Sequence, residues 1–191
     1  MDRREAIKRT SLLLGGALSA SAITGIMQGC QPTGALDWEP VFLSSEEASL
    51  VASIADCILP ATDTPSATDV FVPEFIDLML QEVYSSAEQN HFTTGLKALE
   101  KKSQEQNQKP FGKSSITEQT AVLTDLETAA ASQTGSGKPF IHMIKELTLL
   151  GYFTSDKIMQ EVLSYNPVPG QYEGCVDMEP DAVVSVDNNV F

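Results

Sequence analysis

Two adjacent arginines, three cysteines and two histidines are the residues of this 191-residue chain whose types and spacing invite chemistry. Arg3 and Arg4 stand in Met1 to Arg9, directly ahead of a mild apolar run from Thr10 to Met27. This pattern reads as a twin-arginine export leader. That route moves proteins already folded, so its users hold, or travel with something that holds, a cofactor inserted in the cytoplasm. Ile7 and Lys8 fit the pattern, whereas Asp2 and Ala6 depart from it. An ordinary secretory leader with two neighbouring arginines is the alternative. The apolar run is diluted by Gly15, Gly16 and Gly25 and is too short and too weakly apolar for a membrane span, which needs about 20 predominantly apolar residues.

The leader ends Met27-Gln28-Gly29-Cys30, a small residue before a cysteine, which resembles a lipobox. Acylation of Cys30 would tether the domain, each buried CH₂ contributing about 0.8 kcal/mol. Met27 and Gln28 match that motif poorly, and cleavage after Ala22 is the competing reading. Cys57 falls beside Ile54 and Ile58 on an apolar helix face and reads as a small hydrophobe. Cys175 lies in the irregular stretch Pro169 to Cys175, where a thiol is accessible; a bond to Cys57 and a bond to a partner chain both remain open. No spacing forms a zinc site or a Cys-x-x-Cys-His haem attachment. His91 and His142 have no second ligand at suitable spacing, and a turn-stabilising Asp63 is favoured over a metal pair with Asp56. Neither a Gly-x-Ser-x-Gly elbow nor a Gly-x-Gly-x-x-Gly turn is present, so the sequence carries neither a serine nucleophile motif nor a dinucleotide fingerprint.

Charge narrows the partners. Residues 30 to 191 hold 8 lysines and no arginine against 24 acidic residues, a net charge of −16. Nucleic-acid binding needs a basic face that releases counterions, so nucleic acid is excluded as the expected partner.

The elements that must position these residues are helical. Ser44-Ser45-Glu46-Glu47 is a capping box, and Leu50, Val51, Ile54 and Ile58 follow at helical spacing until Pro60. Ala61 to Ser66 is a compact turn-rich loop. Pro73 opens a second helix carrying Phe75, Ile76, Met79, Leu80, Val83 and Tyr84. A third, shorter helix carries Phe92, Leu96 and Leu99, and the polar stretch Lys101 to Lys113 reads as a frayed end or a connector. Ser115 and Glu118 cap a fourth helix, Phe140 to Leu150 form a fifth that Gly151 is expected to end, and Ser155 caps a short last one. Beyond Tyr165 regular periodicity vanishes. The fold class is all-α, a single domain of about five to six helices with an irregular C-terminal tail.

Two blocks together carry a resemblance. Ile54-Ala55-Asp56-Cys57-Ile58-Leu59-Pro60-Ala61-Thr62-Asp63-Thr64-Pro65 with Val72-Pro73-Glu74-Phe75, and Lys145 to Ser155 with Tyr165, Pro169-Gly170 and Gly174-Cys175, resemble the signatures of the gluconate 2-dehydrogenase subunit 3 family. The organisation this implies is a leader over 1–29, a tether over 30–42, the helical domain over 43–178 and an acidic tail over 179–191. The resemblance implies a non-catalytic small subunit that escorts a leaderless FAD-binding catalytic subunit of the glucose-methanol-choline oxidoreductase type through the twin-arginine translocase. It implies no cofactor in this chain, FAD in the partner, and a cytochrome c or another electron acceptor as a further partner; with the leader and Cys30 it gives an expected periplasmic location with a lipid anchor. A free-standing helical surface lipoprotein that binds a protein or carbohydrate is the alternative. The partner surface is expected at Thr62, Asp63 and Pro65, at the Tyr152-Phe153 corner, and at Pro169, Gly170 and Tyr172, where backbone-fixing residues meet aromatics; that Tyr152 and Phe153 plug the helical core is the alternative. Cys175 matches the family's Gly-Cys, whereas Cys57 departs from its pattern, so the resemblance leaves the partner of Cys175 undecided.

Overall fold

The computed structural model describes residues 38–132 and 137–163, which lie in one compact unit beginning at Leu36. The described residues form an all-α domain of six helices: α1 (Ser45–Ile58), α2 (Val72–Glu82), α3 (Ser86–Asn107), α4 (Ile116–Ala131), α5 (Phe140–Phe153) and α6 (Asp156–Glu161). Single 3₁₀ turns at Thr68–Val70 and Phe111–Lys113 join α1 to α2 and α3 to α4. None of the described helices is long and apolar enough to cross a membrane.

Three helices start with complete capping boxes. Ser44, Ser85 and Ser115 each pair with the glutamate three residues on. Glu88 and Glu118 are thereby held below the ordinary carboxylate range by hydrogen bonds from Ser85 and Ser115. The third helix is the longest of the six, not a short one: it continues through the polar stretch to Asn107. Its last turns are held by contacts that apolar periodicity does not report. Ser103 is buried and donates to the Lys109 carbonyl, while Gln106 and Lys102 both reach Asp125 of α4.

The core helix is α5, which packs against all five others. Two glycines allow its close approach, one at each end. Gly95 of α3 lies directly against the Phe140 ring, which also meets Phe92 edge-on with ring centres 5.3 Å apart. Gly151 does not end α5; the helix runs on to Phe153, and a Cβ at Gly151 would sit 2.7 Å from the Phe75 ring of α2. Phe92, Leu96, Leu99, Ile54, Ile76, Leu80, Ile144 and Leu147 are fully or almost fully buried around these contacts.

One buried carboxyl group fixes the segment ahead of α1. Asp77 of α2 is fully buried and accepts the amides of Val41 at 2.7 Å, Phe42 at 3.2 Å and Leu43 at 2.7 Å. Three successive donors satisfy a group whose burial alone would be costly. Thr120, Thr124 and Thr128 of α4 and Ser132 at its C-terminal cap each donate to the carbonyl four residues earlier, forming an unbroken hydroxyl ladder along one exposed stripe.

Two outcomes test this account. In an unconstrained helix Gly→Ala is favourable by about 1 kcal/mol; Gly95→Ala is expected to lower stability instead, by about 1–3 kcal/mol from overpacking against Phe140, read as a lower urea midpoint. Asp77→Ala is expected to cost about 3 kcal/mol, because hydrogen bonds to a charged acceptor contribute more than neutral ones. Asp77→Asn should fall between it and the parent, and limited proteolysis ahead of Ser45 should accelerate in the same order; an unchanged cleavage rate in Asp77→Ala contradicts the clamp.

Candidate functional site

The loop after α1 is specified by backbone bonds and by two carboxylates that accept backbone amides. Ala67 donates to the Leu59 carbonyl at 3.0 Å and Thr62 to the Thr64 carbonyl at 3.0 Å, which closes the segment into a tight lobe. Asp56, on the last turn of α1, accepts both the amide of Thr68 at 2.9 Å and its hydroxyl at 2.8 Å. Asp69 returns from the 3₁₀ turn to accept the Ser66 amide at 2.9 Å, and hydrogen bonds from Ser66 hold its carboxyl below the ordinary range. The next residue, Phe71, takes a left-handed conformation with φ of 60°, and the Val72 amide then bonds back to the Ala67 carbonyl at 3.1 Å. This is the geometry by which a left-handed residue normally closes a helix, performed here by a phenylalanine.

The far end of α5 locks onto the lobe. The Tyr152 hydroxyl donates to the Pro65 carbonyl at 2.8 Å, with the Thr64 hydroxyl 3.1 Å away as its other neighbour. Tyr152 is buried, and Phe153 stacks edge-on against it with ring centres 5.4 Å apart while remaining exposed. The structure thus brings Thr62, Pro65, Tyr152 and Phe153 to one corner, with Asp63 exposed at the lobe's tip. Tyr152 fills the core and braces the loop at once. Pro169, Gly170, Tyr172 and Cys175 lie outside the described residues, as do Arg3, Arg4 and Cys30.

Asp56, weighed with Asp63 as a metal pair, is instead committed to Thr68. Among the described residues no three His, Cys, Asp or Glu side chains converge to hold a metal ion. Cys57 is half-buried 3.7 Å from the Thr120 hydroxyl, and burial pushes its thiol above the ordinary range. His142 and His91 are exposed, with His91 Nε2 3.0 Å from the Lys138 carbonyl. An open hollow along the outer stripe of α5 is lined by Lys138, His142, Lys145, Glu146, Leu149 and Leu150. Lys138 pairs with Glu146, and Lys145 with Glu127 of α4 at 2.5 Å.

Two residues escaped the sequence reading. Asp77 follows Ile76 on the buried side of α2, and its role depends on a partner 36 residues earlier that no local pattern reveals. Leu78 could have been found: it is an apolar residue on the polar side of α2 and is exposed.

The geometry defines a helical domain whose polar groups at this corner are used to fix loops. Residues 45–170 match the family model described as Gluconate 2-dehydrogenase subunit 3, and the chain belongs to that family. Comparison with the curated proteins gives no match, and comparison with the solved structures gives none.

Tyr152→Phe isolates the brace, since it keeps the ring and removes the hydroxyl. It should lower stability by about 1 kcal/mol and speed amide exchange at Ala67 and Thr62. Unchanged exchange at both amides would show that the lobe holds itself.

Proposed function

We propose that this chain is the non-catalytic small subunit of an FAD-dependent dehydrogenase that acts on a sugar, sugar acid, polyol or glycoside, and that it escorts the catalytic subunit through twin-arginine export. The observation that carries this reading is membership of the gluconate 2-dehydrogenase subunit 3 family over residues 45–170, joined to the Arg3-Arg4 leader pattern in the same chain. A folded-protein export route is explained if the cofactor travels in a second protein. FAD belongs to that catalytic subunit in this reading, consistent with the lack of a Gly-x-Gly-x-x-Gly turn here. A cytochrome c takes the electrons onward, and Cys30 anchors the assembly in the periplasm.

The chemistry this chain contributes is positional. A domain with rigid, backbone-braced loops loses little conformational freedom on docking, which favours a stable complex. The Tyr152 bond to Pro65 joins the two segments that carry the resemblance.

The test is a change of the leader alone. Replacing Arg3→Lys and Arg4→Lys should leave both this protein and the flavoprotein activity in the cytoplasm, because one leader serves two chains. Normal export of the flavoprotein in that double variant would refute the escort role and leave the fold untouched.

A further inference from the structure

Charge is unevenly distributed along the sequence. From Leu36 to Leu96 the chain contains eleven acidic residues and no lysine or arginine, and the cations begin at Lys97. Within that anionic segment, α2 carries apolar side chains on its outward stripe. Phe71 is 69% exposed and Leu78 54% exposed, two helical turns apart, which is about 10 Å along the axis. Half-buried Phe75 lies between them and rests on Gly151. Val41, 62% exposed, is strapped alongside by its amide bond to Asp77, the neighbour of Leu78. Glu74 is set into the same stripe, and burial there raises its carboxyl above the ordinary range.

Phe71 adds an independent observation. A bulky residue at φ of 60° costs about 1–2 kcal/mol, and glycine or asparagine would adopt that conformation more readily. The backbone bonds that close the turn, Phe71 N–H to Thr68 and Val72 N–H to Ala67, need no side chain at position 71. The ring is therefore held out to solvent at a conformational cost that no contact within the turn requires.

We propose that Phe71, Phe75 and Leu78, with Val41 beside them, form the docking surface for a protein partner that presents an apolar hollow edged by lysine and arginine. Resting on the reading above, that partner is the catalytic subunit. Charge selects this occupant over the others. A second copy of this face would bring like charges together, and an anionic lipid surface would be repelled. Residues 164–191 carry Glu173, Asp177, Glu179, Asp181 and Asp187 with no lysine or arginine, so the chain's own tail is repelled as well.

The experiment uses the tagged full-length chain co-produced with the flavoprotein of its complex, with flavin absorbance per mole of chain as the readout. Phe71→Gly suits its backbone conformation and should keep the thermal midpoint, as should Leu78→Lys on an exposed position. Both are expected to lower recovered flavin at least tenfold, while Ile116→Ser, which removes an exposed apolar side chain from α4, leaves it unchanged. Flavin bound by the parent chain should also fall as salt rises. Full flavin recovery in both α2 variants would overturn the surface assignment and leave the subunit reading intact. A parent chain that recovers no flavoprotein would overturn the subunit reading and this proposal with it. If the isolated parent is a dimer that Phe71→Gly converts to monomer with flavin recovery unchanged, a second copy occupies the face and the proposal is wrong.

Discussion

Burying a carboxyl group is unfavourable unless its oxygens find donors to replace water. Asp77 meets that condition with three consecutive amides, and much of the domain's geometry depends on it. The bent segment before α1 supplies those donors, so it has one register against α2. The register seats Leu43 in the core and sets Ser44 where it can cap α1. It also ties the backbone of Val41 to α2. A single side chain thus couples the entry of the chain, the start of the first helix and the outward stripe of the second.

The same device recurs at the other end of α1. Asp56 holds the 3₁₀ turn through Thr68, and Tyr152 reaches from α5 to the loop between them. These are bonds between residues far apart in sequence, and each replaces water at a backbone group that a loop would otherwise leave open. Gly151 sits one residue from Tyr152, so the close approach of α2 to α5 and the bracing of the loop are settled at one point along the helix. Changing that helix would disturb the packing of α2 and the loop after α1 together.

The helices were legible because capping boxes and apolar periodicity are local. Ser44-Glu47 and Ser115-Glu118 identified their helix starts, and the all-α class followed. Where reading failed, the decisive contact was distant or polar. The last turns of α3 are secured by Asp125 on another helix and by buried Ser103, neither of which adds to an apolar pattern. Gly151 read as a stop because glycine commonly ends helices, yet its missing side chain serves the Phe75 ring. The Thr62–Pro65 and Tyr152–Phe153 segments were identified from turn chemistry and aromatics, but the bond joining them is a tertiary fact. Asp77 was invisible for the same reason.

The hydroxyl ladder on α4 changes what that stripe offers to water. Each proton of Thr120, Thr124, Thr128 and Ser132 is spent on a carbonyl of the preceding turn. The threonines retain lone pairs but have no donor left for the solvent, and their methyl groups stand beside the oxygens. Water along this stripe can give hydrogen bonds but receives none in return, so its hydration shell is one-sided and more easily stripped than the residue names imply. A face that counts as both donor and acceptor by composition is, toward water, an acceptor only.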